Sequence, residues 1–295
     1  MKKFLIWTLR AVLALLLFKG AGYLCNLATH TFSIAAIRPA FAASLEWRCA
    51  PPSLEEEKEI LAALSQPYTY ASKGGQVYVF FSQDGKYVLK FLKQRLYVVP
   101  KWLEIFPFST LFSSYKEKKS FQKKEKRARD FSSYLLAATE IKEHTGVLYL
   151  QLNADEARHY PITLLDPLHI CHKIDLFAFP FILQKRALRI YDQIEQAMQR
   201  GDVAYCYRLI DQIIALELEL CKKGIRDRDS VVDSNDGIID GRVVKIDVGR
   251  LLSDERVKSH SCAVQEIEGM LVPFRSWLKQ KYPLLDTYLE NKKYL

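Results

Sequence analysis

The hydrophobic pattern changes character three times along the chain. Behind a basic Met1-Lys2-Lys3 start, Phe4 to Phe18 is apolar except for Thr8 and Arg10, and after Lys19 a milder apolar stretch runs from Gly20 to Ala28. A spanning helix takes about 20 mainly apolar residues; Val12 to Ala28 falls slightly short, but Lys19 and Arg10 can snorkel to the interface. The segment is expected to anchor the chain in a membrane, by spanning it or by lying in the interface. A cleaved signal fits poorly, because the best small-x-small site, Ala40-Phe41-Ala42, lies far beyond the apolar run. If the segment spans, its basic flank predicts a cytoplasmic N-terminus. The main domain would then lie outside, where ATP is scarce, whereas an interfacial anchor would leave it in the cytoplasm.

Pro51-Pro52-Ser53 marks a linker, and Ser53 before Leu54-Glu55-Glu56 reads as an N-cap opening a helix to Leu64. From Tyr68 the pattern is that of strands: Val77 to Phe81, a hairpin turn at Gln83-Asp84-Gly85-Lys86, then Tyr87 to Leu92. Leu96 to Phe112 is an apolar insert with two prolines, expected as a covered hairpin or an exposed docking patch. A long helix is predicted from Tyr115 to Glu143, with Phe121, Ala128, Phe131, Leu135 and Ala138 on its inward face. Further strands are expected at Val147 to Leu152, Ile162 to Leu165 and Phe177 to Leu183. The remainder is mainly helical, at Leu188 to Arg200, Val203 to Lys223 and beyond His260. A small hairpin, Ile238-Ile239 and Val243 to Ile246, turns at Asp240-Gly241. The order divides the chain into an anchor and linker (1–50), a strand-rich part with a basic helix (51–183) and a helix-rich part (184–295), an α+β chain.

The 295 residues carry 43 Lys/Arg against 34 Asp/Glu, a net charge of +9. Eight Lys/Arg against two Glu between Lys116 and Arg129 account for +6 of it. The basicity is one patch on one helix. Beside a membrane anchor such a patch suits anionic lipid, and with no aromatic-interleaved RNA-binding motif nucleic acid is not an expected partner. Six irregularly spaced cysteines without a C-x-x-C pair exclude a zinc ribbon or a disulfide-stapled scaffold, and reduced, mostly buried thiols are expected. His169, Cys171 and His172 are ligand types without a fourth partner. Neither a P-loop nor a nucleophile-elbow motif is present.

Three segments carry candidate chemistry. Lys73-Gly74-Gly75-Gln76 enters a strand whose hairpin partner bears Lys90, so backbone and an ammonium can approach phosphate oxygens together. Gly224-Ile225-Arg226-Asp227-Arg228-Asp229 is followed by Asn235, and Ile246-Asp247-Val248-Gly249 comes after the second hairpin. Phosphoryl transfer asks for a carboxylate to orient the attacking hydroxyl, with an amide oxygen and a second carboxylate for magnesium. Asp229, Asn235 and Asp247 supply those groups in that order.

These segments resemble the protein-kinase-like superfamily: Lys73 to Leu92 its glycine-rich loop and lysine strand, Arg226 to Gly249 its catalytic loop and metal-binding Asp-x-Gly. The resemblance implies a bilobed fold, an antiparallel-sheet N-lobe and a helical C-lobe, behind the N-terminal apolar helix. It implies ATP and Mg2+ as cofactors, with Gly74, Gly75 and Lys90 on the phosphates and Glu125 as the helix partner of Lys90. Asp229 takes the catalytic-aspartate place, Asp227 the place usually held by His and counted with it as catalytic, and Asn235 and Asp247 those of the metal ligands. The sequence departs from the pattern in lacking G-x-G-x-x-G and Ala-Pro-Glu and in an Asp229–Asn235 gap one residue longer. That points to the branches acting on lipids, sugars or other small acceptors, or to an inactive pseudokinase or membrane-bound interaction protein.

Overall fold

A computed structural model describes residues 2–100, 113–155 and 157–292. Helix α1 (Lys2–Ala28) stands clear of everything else. Its stretch Phe4–Ala28 has mean hydropathy 1.8 with none of it buried, long and apolar enough to cross a membrane. It ends where His30 and Thr31 adopt positive φ. There the Thr31 carbonyl accepts a hydrogen bond from the Tyr78 hydroxyl at 2.6 Å, and Phe32 packs edge-on against Tyr78 and Phe80. The foot of the apolar helix is thereby fixed to the sheet. A short helix α2 (Ile34–Ile37) follows, capped by Ser33.

Helix α3 (Leu54–Leu64) starts at the predicted place. Ser53 and Glu56 form a reciprocal capping box, each satisfying the other's backbone N–H. Glu56 also bonds Lys142, and mainly for that reason its carboxyl is lowered to about 2. Seven strands build one mixed sheet: β1 (Tyr68–Lys73), β2 (Val77–Ser82), β3 (Tyr87–Leu92), β4 (Val147–Gln151), β5 (Pro161–Leu165), β6 (Cys171–Asp175) and β7 (Phe181–Lys185). They lie in the order β4-β7-β3-β2-β1-β5-β6, all antiparallel except the β1–β5 pair. Helix α4 (Ser113–Thr139) packs its C-terminal half beside β4.

Beyond the sheet, α5 (Ile190–Gln199), α6 (Val203–Lys222), α8 (His260–Lys281) and α9 (Pro283–Glu290) share a second apolar core built around Ile210, Ile213, Ile267 and Phe274. Between α6 and α8 run β9 (Ile225–Asp227), the short helix α7 (Val232–Asn235), the hairpin β10 (Asp236–Ile239) and β11 (Arg242–Lys245), and β12 (Leu251–Ser253). The predicted Asp240-Gly241 turn has both residues at positive φ, as a two-residue hairpin requires.

Several expectations shift. The helix expected from Leu188 begins at Ile190, because Leu188-Arg189 form a strand, β8, against Gly237-Ile238. The apolar run at Phe177 is a 3-10 turn before β7, and β6 was not expected at all. The inward face of α4 is wider than expected. Phe131 is buried, and Ala128, Leu135 and Ala138 pack against its cluster, as expected. Asp130, Ser133, Tyr134 and Ala137 are buried as well, whereas Phe121 is 61% exposed. Polar residues belong to the inward stripe because it faces a hydrogen-bonding wall rather than a wholly apolar core. Of the insert, 101–112 lies outside the described residues, while Tyr97 is buried against Phe131. All six cysteines are free, but only Cys206 and Cys221 are fully buried. His172 is hydrogen-bonded to Asp166, and no metal-holding cluster of three His, Cys, Asp or Glu occurs among the described residues.

Phe131 meets Phe41, Trp47 and Tyr97 edge-on. Phe131→Ala is therefore expected to cost about 3–5 kcal/mol. Phe121→Ala should stay within about 0.5 kcal/mol. Urea unfolding of the two variants tests which face is inward.

Candidate functional site

The glycine turn between β1 and β2 is tied down from one side. The Gly74 N–H donates to the Val77 carbonyl, and the Gly74 carbonyl accepts from Lys93 Nζ. Neither Gly74 nor Gly75 has positive φ, and a Cβ placed on Gly75 would meet nothing within 4 Å. The fold does not require glycine at 75; the space above it is open.

From the other side, Gln76 reaches across to the segment after β11. Its Nε2 donates to the Gly249 carbonyl at 3.2 Å, and its Oε1 accepts from the Tyr134 hydroxyl at 2.6 Å. A Cβ on Gly249 would stand 2.3 Å from Gln76 Oε1, so a larger residue there would displace this bridge. Next to Tyr134, Ser133 Oγ donates to the Val248 carbonyl and accepts from the Leu251 N–H, both at 2.6 Å.

Lys90 sits mid-strand on β3, opposite Val79 and Ile182. Its Nζ donates to the Ile246 carbonyl at 2.6 Å. Burial pulls the ammonium below its ordinary range, and the charge of Asp247 works against that. Lys90 and Asp247 thus share one place. The carbonyl of Asn235 accepts the N–H of Ile246 at 2.7 Å and of Asp247 at 3.3 Å, which adds the third residue. Asp247 is exposed, and its Oδ1 accepts the Gly249 N–H at 3.2 Å, closing the Asp-x-Gly turn.

The Asn235 side chain is buried. Its Nδ2 donates to the Asp229 carbonyl and, at 3.5 Å, to Asp227 Oδ2, while its Oδ1 accepts from Ser234. Asp229 presents a side chain 53% exposed, 3.3 Å from the Arg250 guanidinium. Five of the predicted residues, Lys90, Asp227, Asp229, Asn235 and Asp247, are therefore joined through one hydrogen-bonded network. The Gly74-Gly75 turn meets it through Gln76.

Two expectations fail on geometry. Glu125 is exposed on α4 and forms no ion pair with Lys90 among the described residues, because Ser133 and Tyr134, two turns further on, face the site instead. Asp227 is fully buried and out of reach of any acceptor. It receives the Asp229 N–H and lies 3.7 Å from Lys245.

Lys245 is the residue that sequence reasoning missed. Its ammonium is wholly buried, 2.9 Å from Asp236 and 3.1 Å from Glu217. Burial opposes its charge, but the three carboxylates overcome this and hold it above the usual lysine range. Burial raises Asp236 to about 6 and also raises Asp227, against the pull of Lys245 in both cases. A lysine inside Val243-Val244-Lys245-Ile246 was the available signal: a charge amid an apolar strand needs buried partners.

No protein-family model and no curated protein matches the sequence. Among solved structures, the chain is similar to the bifunctional kinase-methyltransferase WbdD at 14% identity and a TM-score of 0.36, over 73% of this chain and 42% of that one. It is also similar to the protein in the Rv3197–erythromycin complex from Mycobacterium tuberculosis, at 15% identity and a TM-score of 0.32, over 95% and 75% of the two chains. This chain spans less than half the length of WbdD, and both likenesses are distant.

The raised Asp236 gives a pH test. Between the unfolded value near 4 and the folded value of about 6, the native cluster holds more protons than the unfolded chain. Its contribution to stability is present in full below that window and is lost as pH rises through it. Asp236→Asn should flatten the fall in unfolding free energy between pH 4 and 6, measured in urea. Lys245→Met leaves buried carboxylates uncompensated and should cost about 3–5 kcal/mol.

Proposed function

We propose that the chain is a membrane-associated phosphotransferase of the bilobed, protein-kinase-like kind, using ATP and magnesium to phosphorylate a hydroxyl of a lipid, sugar or other small acceptor. The lobes are 51–183 and 184–295, behind an anchor in 1–50. One observation carries the reading: Lys90 Nζ is bonded to the carbonyl of Ile246, the residue before Asp247. That contact puts an ammonium from the sheet beside a carboxylate from the helical part, the pairing that grips a triphosphate and its metal. The strand order β4-β7-β3-β2-β1, which sets the glycine turn at the edge of the lysine strand, supports it.

In this reading each residue has a separate task. Lys90 holds phosphate oxygens, and the open face of Gly75 lets the turn's backbone approach them. Asp247, with its exposed carboxylate, and the Asn235 side-chain oxygen, which accepts from Ser234, would hold magnesium, and the ion would supply neutralisation of phosphate charge. Asp229, exposed at the rim, orients the acceptor hydroxyl and takes its proton. Asp227, buried against Lys245, positions the Asp229 backbone.

A second reading, an inactive binding module, rests on Gln76. Its bridge to Gly249 and Tyr134 draws the glycine turn down onto the Asp-x-Gly segment. Nucleotide titration of the melting temperature separates the two. At a hundred times its Kd, a bound nucleotide stabilises by about 2.7 kcal/mol, and phosphotransfer requires that this depend on magnesium. Asp247→Ala should abolish both the magnesium dependence and phosphate release from ATP while leaving the fold intact by circular dichroism. Activity retained by Asp247→Ala would end the assignment, and magnesium-independent binding without turnover would favour the second reading.

A further inference from the structure

Away from the nucleotide-type site, a cavity of about 370 Å³ lies between α4 and the segments 40–41 and 97–99. One wall is cationic, from Lys123, Lys124 and Arg127; the other is apolar, from Phe41, Val98 and Val99. Among the described residues, no acidic side chain lines it. The nearby carboxylate of Asp130 is already held by Lys126 at 2.7 Å and Arg129 at 3.7 Å.

The three cations are left without a counter-charge among the described residues. Lys123 spends its ammonium on the Leu96 carbonyl at 3.0 Å. Burial, and then the charges of Lys126 and Lys119, press it below its usual range. Arg127 lies over the Phe41 ring, 4.3 Å from its centre, with a buried Nε that has no hydrogen-bond partner. Like charges gathered in a concave place, with unspent donors, form a site for an anion. Apolar walls beside them fit a ligand that is charged at one end only.

Position narrows the ligand. Ala40 and Phe41 follow closely on the foot of α1, whose apolar surface is unburied. Helix α2, between them, packs on the turn Gln94–Leu96 that holds Lys123. We infer that this cavity binds the phosphate headgroup of an anionic membrane lipid, with Lys124 and Arg127 on the phosphate and Phe41, Val98 and Val99 against the glycerol and upper acyl carbons. The inference is independent of the proposed phosphotransfer.

The test uses the full chain in neutral detergent, with native mass spectrometry counting retained phosphatidylglycerol or phosphatidylcholine. One phosphatidylglycerol should be retained in preference to phosphatidylcholine. Lys124→Gln and Arg127→Gln should each weaken retention about fivefold, as expected for one basic group at a membrane surface. Arg127→Lys should restore most of the loss, which guards against a folding defect. Lys118→Gln removes the same charge from the exposed outer face and should change nothing. Equal retention of phosphatidylcholine, or an equal loss in Lys118→Gln, would overturn the site. Displacement of the lipid by equimolar soluble glycerol phosphate would overturn the lipid assignment in favour of a free phosphate compound.

Discussion

The ammonium of Lys90 on the carbonyl of Ile246 joins two parts of the molecule, each with its own apolar core. The junction is also packed by a third cluster, which holds Leu92, Phe131 and Ile182 from one part and Leu220, Val248 and Leu251 from the other. A charged donor on a partly buried carbonyl is worth about 1.5–3 kcal/mol, modest against either core. Its importance is positional. Ile246 is held on its other side by the Asn235 carbonyl, which also accepts the N–H of Asp247. The Asp-x-Gly turn is therefore pinned from the sheet and from the loop after β9 together. Ser133 adds a third hold one residue further on, through Val248. Asp247 is left with an exposed carboxylate on a fixed backbone.

Beneath this turn lies a second constraint. Lys245 collects carboxylates from α6, β9 and β10 while standing on β11 itself. An ion cluster sealed from water costs desolvation, and apolar residues of similar volume would often be at least as stable. What the cluster provides instead is register. β11 cannot slide by one residue without turning Lys245 to the other face and leaving three carboxylates unpaired. Since Asp247 follows two residues later, the register of β11 is also the position of the site. The buried polar network and the exposed one are consecutive along the chain, the first on the last residue of β11 and the second just past it.

Much of this was legible because local signals agreed with the fold. The Ser53 cap, the Asp84-Gly85 and Asp240-Gly241 turns and the β2–β3 strands follow from short-range chemistry, and they lie where the pattern puts them. The convergence of Lys90, Asn235 and Asp247 was reached only through spacing and resemblance, because no local rule links residues more than a hundred positions apart. The inward face of α4 was legible at Ala128, Phe131, Leu135 and Ala138, and its polar part was not, for a physical reason. Apolar periodicity finds a stripe that packs on apolar neighbours, and Asp130, Ser133 and Tyr134 are buried by hydrogen bonding. Glu125 followed from placing Phe121, which is exposed, on that face. β6 was missed because its side chains are mostly polar and it pairs at the sheet's edge.

Helix α4 connects the two sites. Its C-terminal part supplies Ser133 and Tyr134 to the Asp-x-Gly segment, and its middle supplies Lys123, Lys124 and Arg127 to the cationic cavity. The two sets lie within three turns of one uninterrupted helix, and at 1.5 Å of rise per residue they move as one body. The Phe131 cluster fixes the helix between them, with Phe41 belonging to both the cluster and the cavity wall. As one body, a tilt of the helix on this pivot would alter the distance from its cations to Val98 and Val99 and the Tyr134–Gln76–Gly249 bridge together. Coupling requires only that a ligand in one site favour one helix position over another.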